Sequence, residues 1–167
     1  MRFIDTQQDP WRPVEGEDGP NVTITPAPQR LLTLAQWHAV RAQWPRELPT
    51  AVAVPNDAAI EDLAEDLPRI ALVVLHFPKW TDGRAYSQAR ILRSRYRFEG
   101  EVRAIGDVVV DMIPLLDRTG FDTALMRTDQ NEGIAERQLE RFEAYYQGDV
   151  HDNHPLFARS GGQGASA

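Results

Sequence analysis

The run Ile70-Ala-Leu-Val-Val-Leu-His-Phe77 constrains this chain more than any other segment, because it holds eight residues with a single polar interruption. A strand with one wet face alternates apolar and polar residues; a near-continuous run of this length predicts a central strand covered on both faces. Weaker strand patterns stand on either side of it, at Ala51–Val54, Glu101–Ile105 and Thr123–Met126.

Between these strands the apolar spacing turns helical. Thr33-Leu-Ala-Gln36 has the reciprocal capping spacing and predicts a helix to about Trp44, stopped by Pro45. Asn56-Asp57 opens a second helix with Ile60, Leu63, Ala64 and Leu67 on one face, closed by Pro68. Residues 84–97 form a third, with Ala85, Ala89, Leu92 and Tyr96 inward and Gly100 at the turn out. Asp107 is expected to cap a fourth, Val108–Arg118, kinked by Pro114 and ended by Gly120. Asp129–Glu132 caps the last, with Ala135, Leu139, Phe142 and Tyr146 on one stripe.

Strands that alternate with helices call for an α/β fold with a parallel sheet. The expectation is a small four-stranded, mostly parallel sheet with flanking helices. Four strand–helix units are also half of an eight-fold barrel, so a half-barrel-like arrangement is the alternative, which a homodimer would complete. Residues 1–30 hold Pro10, Pro13, Pro20, Pro26 and Pro28 and read as an extended arm with at most a short strand near Asn21–Thr25. The single α/β domain spans 31–150, and 151–167 reads as a disordered tail.

Composition removes several functions. The chain has 167 residues and no cysteine, so iron–sulfur clusters held by thiolates, disulfides and thiol exchange are excluded. The net charge of −7 gives no global case for nucleic acid or an anionic membrane. No apolar run approaches the roughly 20 residues of a transmembrane helix, and Met1 opens no signal pattern; the expected location is cytoplasmic.

In parallel α/β folds the loops after the strands meet at one edge. Asp57, Asp82, Asp107 and Asp129 all fall in those loops, as a magnesium-holding carboxylate cluster or, more simply, as helix caps. The segment after the central strand is an anion-site candidate. Gly83 brings backbone amides close, the following helix N-terminus favours negative charge, and Lys79 and Arg84 supply cations beside Asp82, Tyr86 and Ser87. In the competing reading Arg84 pairs with a nearby carboxylate and Tyr86 packs. Gly106 and Asp107 share the strand edge with Asp57. Arg90, Arg93 and Arg97 lie three and four apart, a stripe for a protein partner or simply a solvated face. His38 and His76 read as packed or hydrogen-bonded side chains, and His151 with His154 is a weak metal pair.

The segments FPKWTDGRAYSQARILRSRY and GEVRAIGDVVVDMIPLLDRTGFDTALMR resemble the bacterial domain-of-unknown-function family nine-three-four, over about Leu34 to Gln147. Its members are described as possible oxidoreductases of sulfite reduction. The motif falls on Pro78, Asp82, Gly83, Arg84, Tyr86, Ser87, Arg90, Arg103, Gly106, Asp107, Gly120, Phe121 and Asp122. This chain departs from the pattern at Thr119, where many relatives carry cysteine, and at Pro114. The resemblance implies a role beside assimilatory sulfite reductase. With no thiol present, the leading expectation is an accessory protein that binds that partner or a small oxyanion. The alternatives are an oxidoreductase with bound flavin or nicotinamide, and a magnesium-dependent hydrolase.

Overall fold

The computed structural model describes residues 1–14, 24–141 and 148–150. Among the described residues seven strands pair into one sheet: β1 (Arg2–Phe3), β2 (Arg12–Pro13), β3 (Arg30–Thr33), β4 (Thr50–Val54), β5 (Ile70–Phe77), β6 (Glu101–Gly106) and β7 (Thr123–Ala124). Their order is β1-β7-β6-β5-β4-β3-β2, and every pairing is parallel. The result is a curled half-barrel, the alternative architecture, with seven strands where four were expected. Four helices occur among the described residues: α1 (Leu34–Val40), α2 (Arg84–Ser94), α3 (Ile113–Thr119) and α4 (Glu132–Leu139).

Of the three additional strands, β1 and β2 lie in the supposed arm, and β3 begins at its last residue, Arg30, and runs into the expected domain. β1 and β2 are two residues each and carry arginine and proline, so they have no alternation to detect. Of the short strand expected near Asn21–Thr25, residues 21–23 lie outside the described residues, and Ile24 and Thr25 are not in a strand. The 151–167 tail, Phe142, Tyr146, His151 and His154 also lie outside them.

Several helices differ from expectation for identifiable reasons. The Thr33–Gln36 capping box is present, with both reciprocal bonds made, but α1 ends at Val40 and turns lead on to Pro45. The expected helix after Asn56 is instead two short 3₁₀ segments, Ile60–Leu63 and Leu67–Arg69. A three-residue repeat suits that geometry: Ile60, Leu63 and Asp66 are all buried, and Asp66 receives Trp37 Nε1 at 3.0 Å and Arg41 at 2.7 Å. Pro114 does not kink a helix. A 3₁₀ turn, Val110–Met112, precedes α3, so the proline occupies its first turn, where the missing donor costs nothing. Gly120 ends α3 at φ 102°, as expected of a left-handed cap.

The two faces of the sheet are built differently. Val52, Val54, Val73, Leu75, Phe77, Val102 and Ala104 point to the side packed by Trp37, Leu92, Ile113 and Leu116 of the helices. Their alternates Ala51, Leu72 and Val74 point to the other face, together with the buried Arg103 and Thr123; among the described residues no helix packs there, and it is the helix-free face. Chain topology covers that face. β1 and β2 are at opposite edges, yet both run parallel to their neighbours, so residues 4–11 must return diagonally across the sheet. On the way Trp11 packs against the Ala51–Leu72–Val74 cluster and Asp9 reaches Arg103 at 2.6 Å.

Candidate functional site

The parallel sheet delivers the loops after β4, β5, β6 and β7 to one rim, as the βα arrangement requires. The loop 78–87 and the Gly106 turn meet there: the Trp80 amide donates to Asp107 Oδ2 at 2.9 Å, and the Asp107 amide donates to the Phe77 carbonyl at 2.8 Å. Gly106 has φ 96°, and a Cβ on it would sit 2.4 Å from the Phe77 carbonyl and 2.8 Å from the His76 ring. Only glycine suits that position.

Two carboxylate–guanidinium locks tie the rim loops together. In the first, Asp82 receives Arg84 Nε at 3.1 Å and Nη2 at 2.7 Å, the Arg84 amide at 3.2 Å, and Asn56 Nδ2 from the β4 loop at 2.8 Å. These donors, the Arg84 side chain foremost, lower the Asp82 pKa to about 2. In the second, Arg127 from the β7 loop gives Nη1 to Asp107 at 3.0 Å, and Nε and Nη2 to Asp129 at 3.0 and 2.6 Å. The Trp80 amide and Arg127 hold Asp107 below the usual carboxylate range, and Arg127 does the same to Asp129.

These locks change the expected anion site. The carboxylate of Asp82 takes the place at the start of α2 that an oxyanion was expected to fill, and it forks the cation that would have bound one. Gly83 has an ordinary φ of −85°, and an added Cβ would meet only Tyr86, at 3.8 Å, so no close approach by a ligand demands glycine there. Tyr86 packs edge-on to Phe77 and Phe121, at ring separations of 5.0 and 6.4 Å, and burial pushes its hydroxyl up to about 12. Lys79 and Ser87 are exposed at the surface. A flavin or nicotinamide phosphate does not fit at this helix start either, because an ionised carboxylate already occupies it.

The expected capping role of the aspartates is corrected in part. Asp82 does accept an amide from the first residue of α2, but Asp107 binds the β5 loop rather than its own helix, and Asn131, not Asp129, caps α4 at 3.0 Å. Asp57 is exposed beside Arg84. Among the described residues no group of three or more histidines and carboxylates is arranged to hold a metal ion.

The arginine stripe is also not a single surface. Arg90 is exposed, but α2 ends at Ser94, and Arg97 lies beyond it at φ 50°. Arg93 is turned into the fold, donating to the carbonyls of Gly120 at 3.0 Å and Gly100 at 2.9 Å, to the Phe98 carbonyl and to Asp122.

Two rim side chains differ from the sequence reading, His76, which was expected to be packed or hydrogen-bonded, and Trp80, to which no role was given. His76 alternates with Leu72 and Val74, so it emerges on the helix-free side of the rim, where it is exposed rather than packed. Trp80 is 58% exposed, the most exposed large apolar side chain among the described residues. Its position directly after an exposed lysine was the available signal, since a tryptophan in a polar loop has no core face to join. No helix among the described residues is long and apolar enough to cross a membrane.

No curated protein matches the chain. The profile of the family described as bacterial protein of unknown function, DUF934, matches residues 51–157, which takes in β4 from its second residue, β5 to β7 and every rim loop described above. With more than half of its length covered, the chain belongs to the DUF934 family.

Proposed function

We propose that the protein is an accessory protein of assimilatory sulfite reduction that performs no redox step and docks a partner enzyme through the rim around Trp80. The observation that carries this reading is the contrast at that rim. Arg84 and Arg127 are already forked onto aspartates, while a large indole stands in solvent on a backbone pinned by Asp107. Tryptophan held rigidly at a surface is the side-chain type that most often anchors a protein–protein contact, because it contributes large area at little entropy cost. Paired charges around it suit a polar rim that excludes water.

Lys79 remains for a small oxyanion, and it forms no ion pair among the described residues. A lone exposed ammonium gives weak, salt-sensitive attraction rather than a shaped site. Sulfite or sulfate is therefore expected to bind no more than weakly.

The test is capture of purified sulfite reductase by the immobilised protein. Trp80→Ala is expected to lose the enzyme while keeping the native melting temperature. Equal capture by the wild type and the variant would remove Trp80 as the anchor, and no capture by either would remove the partner.

A further inference from the structure

The segment that crosses the helix-free face looks like a bound peptide. Asp9 Oδ1 accepts the Trp11 amide at 3.2 Å while Oδ2 takes Arg103 Nη1 at 2.6 Å, so one carboxylate both binds Arg103 and holds the backbone turn of Asp9-Pro10-Trp11. On the receiving side, Arg103 has a side chain only 5% exposed. Its other nitrogens are served by its own sheet, with Nε and Nη2 reaching Glu101 at 3.0 and 2.8 Å and Nε reaching Thr123 at 3.3 Å. Nη1 is thus the one donor whose partner comes from outside strands β6 and β7. Beside it lies the apolar bed of Ala51, Leu72 and Val74 that takes Trp11.

Three features make the crossing segment separable from what it covers. Its flanking strands are two residues each. Asp5 to Gln8 are exposed, and a cavity of about 290 Å³ remains between the segment and Glu101 and Arg103. The receiving residues Ala51, Leu72, Val74, Glu101, Arg103 and Thr123 all lie within 51–157, the span shared with the family, while the segment lies outside it.

We infer that the helix-free face is a peptide-binding groove for an acidic residue placed two positions before a tryptophan, and that residues 4–11 are its built-in occupant. Arg103 reads the carboxylate, and the Ala51–Leu72–Val74 bed reads the indole. A segment of the same chemistry from another chain binds by displacing the internal one. This face is distinct from the Trp80 rim and stands or falls independently of it.

The probe is a fluorescein-labelled peptide of residues 2–14, followed by anisotropy on full-length protein. An internal occupant acts at an effective concentration on the order of millimolar, so the wild-type chain is expected to bind micromolar peptide at least about tenfold more weakly than Asp9→Asn. The doubly substituted Asp9→Ala, Trp11→Ala chain is expected to bind tightest. The same peptide with alanine in place of the aspartate corresponding to Asp9 is expected to bind neither variant. If Asp9→Asn, which preserves shape and keeps native circular dichroism, binds no better than the wild type, the groove is not vacated by loss of its carboxylate contact and the inference fails. Equal binding of the alanine peptide would also overturn it, because Arg103 would then read nothing.

Discussion

Arginine meets aspartate at both ends of the sheet, but with opposite results. At the N-terminal strand ends, Arg93 is only 16% exposed and ties α2 to the starts of β6 and β7 through three carbonyls and Asp122, whose Oδ2 also takes the Val102 amide at 2.7 Å. At the C-terminal rim, Arg84 and Arg127 are 57% and 44% exposed and bond only to carboxylates, Arg84 to Asp82 of its own loop, Arg127 to Asp129 of its own loop and to Asp107 of the β6 loop. Buried, multiply bonded guanidinium groups hold folds together, whereas exposed forks contribute little to stability. The rim pairs therefore set loop shape and cancel charge, and the fold does not depend on them.

That contrast is open to direct attack. Arg93→Ala leaves the Gly100, Phe98 and Gly120 carbonyls without their donor and is expected to cost about 3 kcal/mol in urea unfolding; a loss near zero would erase the distinction between the ends. Gly106→Ala is expected to cost about 2 kcal/mol, since the rim's rigidity resides in backbone that must adopt φ 96° beside the Phe77 carbonyl. A variant as stable as the wild type would show that the β6 turn relaxes freely.

Smaller effects sharpen the picture at the rim itself. In Arg84→Ala the Asp82 carboxyl is expected to titrate upward from about 2 toward the ordinary 3.8, measured by carboxyl ¹³C shifts. The sign follows from linkage: a depressed folded pKa contributes stability above the unfolded value, and that contribution is lost as pH falls from about 3.8 through about 2. Acid unfolding of Arg84→Ala should accordingly depend less on pH in that window than the wild type does. An unmoved Asp82 titration would mean that Asn56 and the backbone amide hold the carboxylate unaided. Gly83→Ala is expected to change neither melting temperature nor that titration, because its Cβ meets only Tyr86 at ordinary contact distance.

The same physical difference governs what the sequence reveals. β5 is legible because a strand buried on both faces must be apolar at nearly every position, and β4 and β6 pair with it over most of their length. β1 and β2 are not legible: two-residue strands of Arg-Phe and Arg-Pro are held by the neighbouring edge, not by their own pattern. The Ile60–Leu67 stripe matches helical spacing, but the demand of Trp37 and Arg41 for the Asp66 carboxylate favours the tighter 3₁₀ turn. At the rim the residue types were visible and their pairings were not. Whether Arg84 faces a ligand or Asp82, and whether Asp107 caps α3 or holds Trp80, depends on loop paths that no local spacing encodes. His76 was hidden by the strand it sits in, since only the topology shows that its side of the sheet is open at that level.

In the proposed function the rim's charges serve one another and its indole serves a partner. Calorimetric titration of purified sulfite reductase with Trp80→Ala and Arg84→Ala, side by side with the wild type, tests it most directly. Trp80→Ala is expected to abolish the heat of binding and Arg84→Ala to leave it nearly intact. Loss of binding in Arg84→Ala with full binding in Trp80→Ala would contradict it.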